Sequence, residues 1–176
     1  MEHFSELAKK RRSHRKFTDQ PLTDIQLETL LDAALMSPTS KGLHSCLFYV
    51  VESPEQLKSL SVSKAIGSQF VELAKCAIVV VAEPEISDVW IEDASAAAMS
   101  ILYQAEDLGL GACWVQIRER KDSNGTATEK IVSDILSLPA SHRPVCLIAL
   151  GHKSMERKEQ NMDRIETLKQ EKVVRM

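Results

Sequence analysis

The chain has 176 residues, 22 Lys and Arg against 25 Asp and Glu, a net charge of -3, and 44% hydrophobic residues. That length suits one domain with a sizeable core, and the charge balance excludes an extended nucleic-acid-binding face. The start Met-Glu-His-Phe-Ser-Glu has no signal-peptide pattern, and the longest apolar run, residues 76–82, is far below the ~20 residues of a membrane-spanning helix, so a cytosolic (cytoplasmic) protein off the membrane is expected.

Residues 2–12 read as a helix with Phe4, Leu7 and Ala8 on one face. It runs into Arg11-Arg12-Ser13-His14-Arg15-Lys16-Phe17, which with Lys9 and Lys10 places six Lys or Arg in eight residues. Two readings stand. One is a solvated basic helix end favoured by the helix dipole. The other is an anion site, in which guanidinium forks hold phosphate oxygens bidentately and Ser13 adds a donor. After the turn Thr18-Asp19-Gln20-Pro21, Thr23 caps a helix over 24–36, with Ile25, Leu27, Leu30, Leu31, Ala34 and Leu35 as its apolar stripe. Ser37-Pro38-Thr39-Ser40-Lys41-Gly42 ends it and offers backbone and hydroxyl donors. Residues 47–51 form a strand.

Pro54 opens a short helix to about residue 60. Residues 61–75 read as a loop and helix around Gly67, with Phe70, Val71 and Leu73 facing inward. The uninterrupted apolar run 77–82 is a central strand buried on both faces. The longest helix spans 89–108, and its middle, Ala94-Ser95-Ala96-Ala97-Ala98-Met99-Ser100, is small and nearly uncharged. Such a stripe fits a core helix within one domain, or a helix packed on its symmetry mate. Gly109 and Gly111 precede a strand over 112–117, a polar loop over 118–125, a helix over 128–138 and a last strand over 145–150, closing at Gly151. A charged tail follows His152. Strands and helices mingle throughout, so the class is α/β or α+β with no internal boundary.

No GxGxxG joins a strand to a helix, and no Walker loop, GxSxG elbow or metal-spaced histidine pair occurs. The four cysteines are widely spaced and suggest neither zinc nor a disulfide framework; Cys76, Cys113 and Cys146 read as small hydrophobes. Glu92 and Asp93 are adjacent on a helix, point in different directions and read as helix-start charge. What remains is a basic cluster, a small-residue loop and a Gly-rich approach to an apolar strand. That set suits a phosphorylated cofactor that does the chemistry itself.

The order of Arg11-Arg12-Ser13-His14-Arg15-Lys16-Phe17, Ser37-Pro38-Thr39-Ser40-Lys41, Phe48-Tyr49-Val50-Val51, Gly109-Leu110-Gly111-Ala112-Cys113-Trp114-Val115-Gln116-Ile117 and Leu150-Gly151-His152-Lys153 resembles the short form of the nitroreductase family. The resemblance implies a three-layer α+β fold with a central, mostly antiparallel sheet flanked by helices. It implies a single domain over 1–176, whose residues 152–176 form a tail reaching over the partner of a homodimer, with Val173-Val174 adding an edge strand. It further implies FMN at the subunit interface and NADH or NADPH as donor. A hydride would pass through flavin N5 to nitroaromatic, quinone or flavin-type small-molecule acceptors in a ping-pong sequence. Arg11, Arg12, Ser13 and Arg15 would hold the FMN phosphate and ribityl chain or the pyrimidine edge. The loop of Pro38, Thr39, Ser40 and Gly42 would approach from the partner, the backbone at Val115, Gln116 and Ile117 would lie against the ring, and Arg157 or Lys158 (Lys153 being a third candidate) would complete the phosphate site.

Two departures from the family pattern stand out. Gly42-Leu43-His44-Ser45-Cys46 occupies the place of an Asn and a Pro-Trp pair, which removes a donor near the flavin. The short chain also leaves an open acceptor pocket, with residues 64–70 as one rim. A redox-silent flavin carrier or sensor is therefore the alternative, and a flavin-free dimeric interaction module a third reading. Arg118, Arg120 and Lys121 are either a solvated loop or a seat for the 2′-phosphate of NADPH.

Overall fold

The computed structural model describes residues 3–176. In chain order its main elements are α1 (Phe4–Lys10), α2 (Asp24–Leu35), β1 (Cys46–Val51), α3 (Pro54–Ser61), β2 (Cys76–Ala82), α4 (Trp90–Asp107), β3 (Leu110–Gln116), α5 (Thr128–Leu136), β4 (Arg143–His152) and α6 (Met162–Lys172), with 3-10 turns at Ser40–Gly42 and Gln69–Leu73. The four strands form one antiparallel sheet in the order β1-β2-β4-β3. Among the described residues no helix is long and apolar enough to cross a membrane.

Side-chain alternation along β2 builds the three layers. Cys76, Ile78, Val80 and Ala82 face a core shared with α2 and α4, through Leu30, Ala34, Ala94, Ala98 and Ile101. Ala77, Val79 and Val81 face the opposite core, with Leu57 and Leu60 of α3, Val71 of the second 3-10 turn and Val132 of α5. Every residue of β2 is fully buried, as its unbroken apolar run requires. Local signals set the helix starts. Thr23 accepts from Gln26 N–H at 3.2 Å while the Gln26 side chain takes Thr23 N–H at 3.0 Å, a complete capping box. Ser53 caps α3, with Pro54 in its first turn.

Two expectations need correction, and two segments gain detail. The first helix is shorter than 2–12, running Phe4–Lys10, and Glu2 lies outside the described residues. Leu73 does not face inward but is 53% exposed, because the short 3-10 turn buries only Val71. The charged tail carries a helix: Asn161 accepts from the N–H groups of Asp163 and Arg164 and starts α6, which buries none of its residues. Along the small-residue stripe of α4, Ala94, Ala97 and Ala98 are buried in this chain's own core, while Ser95, Ala96, Met99 and Ser100 lie on the outer face of the helix.

Candidate functional site

The basic segment lies across the outer side of the sheet. His14 N–H donates to Ala112 O at 2.9 Å, Thr18 N–H donates to His152 O at 2.9 Å, and Phe17 bridges Lys153. Glycine permits this crossing. A Cβ on Gly151 would stand 2.9 Å from the Phe17 side chain, and one on Gly111 would stand 3.0 Å from His14 Cβ. His14 is buried, and its pKa is held below the ordinary value by burial first and Lys153 second.

The chain after β4 then returns to the same place. Gln160 N–H donates to Lys9 O at 2.9 Å and Arg157 Nη1 donates to Ser13 O at 3.1 Å. Arg12 Nη1 clasps the carbonyls of Lys158 (2.7 Å) and Glu159 (3.0 Å). The result is an open cleft of about 320 Å³ lined by Arg11, Arg12, Ser13, Arg15, Arg157 and Gln160. No carboxylate lines it. Arg11 and Arg15 form no ion pair among the described residues, and Arg15 stands 5.6 Å over the Phe70 ring. Guanidinium donors without an acid to neutralise them are the donor set a phosphomonoester needs.

Between the two basic candidates after β4, the structure distinguishes by position. Arg157 lines the cleft, whereas Lys158 contributes its carbonyl to Arg12. Lys153 is engaged elsewhere, in an ion pair with Glu106 at 2.9 Å whose side chains are 9% and 8% exposed.

β3 is an edge strand, and the His14 bond shows that Ala112 turns its carbonyl to the open side. Antiparallel alternation then turns the backbone groups of Trp114 and Gln116 the same way, while Val115 pairs inward with Leu147 and Ile117 N–H donates to Val145 O. Of the three predicted residues, Gln116 alone offers its backbone to that edge. Its side-chain amide is taken, accepting from Trp114 Nε1 at 3.0 Å and donating to Arg118 O at 3.0 Å.

The 37–45 loop stands apart, with no hydrogen bond to residues 11–17 among the described residues. Its organiser is Asp93, at 5% exposure. The carboxylate accepts Ser40 N–H at 2.9 Å, Ser87 Oγ–H at 3.1 Å and Ser45 Oγ–H at 3.4 Å. Asp93 therefore ties down the loop carrying Pro38, Thr39, Ser40 and Gly42, a role the sequence reading missed. Lys41, Gly42 and His44 all take positive φ to complete the turn. Nearby, burial pushes the Cys46 thiol up to about 11, and burial likewise raises Cys76 to about 12 and Cys113. These thiols stay protonated and unreactive at neutral pH.

The model of the Nitroreductase family matches residues 8–81 and 61–152. A protein of Archaeoglobus fulgidus, provisionally named NADH dehydrogenase/NAD(P)H nitroreductase, is 32% identical over 151 residues, covering 84% of this chain and 83% of the relative. The FMN reductase (NADPH) of Bacillus subtilis is 29% identical over 164 residues, covering 80% of this chain and 62% of the relative. Among solved structures, an FMN-dependent nitroreductase from Clostridium difficile superposes with a TM-score of 0.89 at 40% identity, covering 96% of each chain.

Proposed function

The chain belongs to the Nitroreductase family, and from that premise we propose that it is an FMN-dependent oxidoreductase that takes electrons from NAD(P)H and reduces nitroaromatic, quinone or flavin-type acceptors. The observation that carries the reading is the carboxylate-free cleft of Arg11, Arg12, Ser13, Arg15 and Arg157 beside the open edge of β3. When bound, FMN would supply the redox chemistry itself, carrying a hydride between the nicotinamide donor and the acceptor in a ping-pong sequence, with these residues holding and orienting it.

The protein's part is binding and orientation. Arg11, Arg15 and Arg157 offset the phosphate charge, and the Ser13 hydroxyl adds a donor. Arg12, held by the carbonyls of Lys158 and Glu159, fixes the far wall of the cleft and keeps Arg157 against residue 13. The outward backbone of Trp114 and Gln116 offers paired donors and acceptors to a flat ring laid along the edge. No protein nucleophile is called for.

A homodimer completes this proposal. The outer face of α4 (Ser95, Ala96, Met99, Tyr103) is half-buried to exposed, and Phe4 packs its ring at a tilt against Tyr103, centroids 4.8 Å apart, while remaining 63% exposed. Leu35, Met36 and Leu43 extend the apolar surface on the α2–loop side. A second copy on this face brings the Pro38–Thr39–Ser40–Gly42 loop of one subunit towards the flavin of the other. The chain is then a single domain over 1–176. The exposed α6, with Val173 59% and Val174 80% exposed, supplies the part of the 152–176 tail that reaches over the partner.

The direct test is the visible spectrum of the FMN-loaded protein before and after anaerobic NADH or NADPH. Bleaching of the flavin bands is expected, followed by reoxidation on adding a quinone or nitroaromatic. A flavin that stays oxidised with both nucleotides contradicts the reductase reading and leaves a flavin carrier.

A further inference from the structure

A second group of unneutralised cations lies at the other end of the open edge of β3. Directly after Ile117 the chain makes a tight turn: Arg120 N–H donates to Ile117 O at 3.1 Å, and Arg120 O accepts from Thr128 N–H at 2.9 Å. The neighbouring loop is fastened to it, with Ala65 N–H donating to Lys121 O at 3.0 Å. Lys64, Arg120 and Lys121 are thereby gathered on two joined segments. Arg120 and Lys121 follow the far end of the Ala112–Ile117 strand, about 17 Å along it from Ala112 at the ~3.3 Å rise of a strand, whereas Lys64 reaches back to interact with Cys113, as Arg11 and Arg15 do.

Every acid in this neighbourhood already has another partner. Glu119 pairs with Arg118 at 2.7 Å. Glu129 accepts Glu119 N–H. Asp122 accepts the N–H groups of Asn124 (2.9 Å) and Thr126 (2.8 Å). Lys64, Arg120 and Lys121 form no ion pair among the described residues. Lys64 is half-buried, and its pKa is lowered by burial first and by Arg120 second, the mark of a cation lacking its anion.

Because the arginine cleft already accounts for one phosphate, a second such cluster calls for a ligand with another. We propose that Lys64, Arg120 and Lys121 receive the 2′-phosphate of the nucleotide donor, so that this chain works with NADPH in preference to NADH. The inference rests on the reductase reading above, since only a nicotinamide donor brings that phosphate to this edge. A phosphomonoester there meets two flexible ammonium groups and the Arg120 guanidinium, which donates to the Glu119 carbonyl at 2.9 Å, none of the three being in an ion pair among the described residues.

The test compares 2′,5′-ADP with 5′-AMP by calorimetry on the FMN-loaded protein, alongside kcat/KM for NADPH and NADH, in wild type and in Lys64→Gln/Arg120→Gln. Expected are binding of 2′,5′-ADP about tenfold or more tighter than 5′-AMP, and a ratio of NADPH to NADH efficiency that falls about tenfold or more in the double variant. Thermal melting and FMN affinity of the variant check that it is folded. Equal affinity for the two adenosine phosphates in wild type overturns the proposal, as does a variant that keeps the preference. If neither nucleotide bleaches the flavin while 2′,5′-ADP still binds through these residues, the phosphate receptor stands and the reductase reading falls.

Discussion

Ser40 N–H donates to the carboxylate of Asp93 at 2.9 Å, joining the tip of the 37–45 loop to the first turn of α4 across 53 positions of sequence. With Ser45 and Ser87 also donating to it, Asp93 is a buried acceptor with three partners, and Ser45 and Ser87 are themselves buried. Replacing it by alanine strands those donors away from water. Asp93→Ala should lower the unfolding free energy by about 3 kcal/mol, and Asp93→Asn, which keeps one acceptor oxygen, by less. Denaturant titration of both variants checks the order.

Gly151→Ala tests the crossing of the basic segment. A Cβ there meets three Phe17 atoms at 2.9 Å, so residues 13–17 must shift and carry Ser13 and Arg15 with them. A loss of about 1–3 kcal/mol in stability together with weaker FMN binding is expected. Gly125→Ala is the control: its φ of +84° costs about 1 kcal/mol, yet nothing lies within 4 Å and FMN binding should not change.

His14 makes stability depend on pH. Its folded pKa lies below the ordinary 6.5, so the unfolded chain binds the proton more readily. Stability from this group is complete above about pH 6.5 and is lost as pH falls through 6.5 towards the lower folded value, at up to about 1.4 kcal/mol per pH unit. Unfolding free energies of wild type and His14→Asn, followed from about pH 8 to 5, should differ in slope only in that window. Parallel curves would mean that His14 is not held neutral.

The proposed dimer predicts opposite outcomes for two positions on α4. Met99, 36% exposed on the outer face, should tolerate Met99→Glu as a folded chain that sediments as a monomer. Ala97, 2% exposed in the core, should not accept Ala97→Asp as a folded chain at all. A Met99→Glu protein that remains a dimer by sedimentation places the interface elsewhere.

The sequence shows most of the fold because its local signals agree with the tertiary result. Thr23, Pro54 and the unbroken run of β2 each mark an element on their own. Helix α6 escaped notice because it buries nothing and its few apolar side chains, Met162, Ile165 and Leu168, stand among charges, although the Asn161 cap marks its start. For Asp93, the partners Ser40, Ser45 and Ser87 are polar residues from separate segments, and only the folded chain brings them together. The small-residue stripe of α4 fits both a core and an interface in pattern; in the folded chain Ala94, Ala97 and Ala98 turn to the core, and Ser95, Ala96 and Met99 turn to the outer face on which the proposed dimer packs. The arginine cleft was legible as charge in residues 11–15, but the choice of Arg157 over Lys158 depends on how Arg12 turns the returning chain.

The claim that these arginines hold a phosphate is tested most directly by titrating the apo-protein with FMN and with riboflavin, which differ by that group alone. FMN should bind about 100-fold or more tightly than riboflavin, and Arg15→Ala/Arg157→Ala should bring the two close together. Equal affinities in the unaltered protein would contradict the assignment of the cleft.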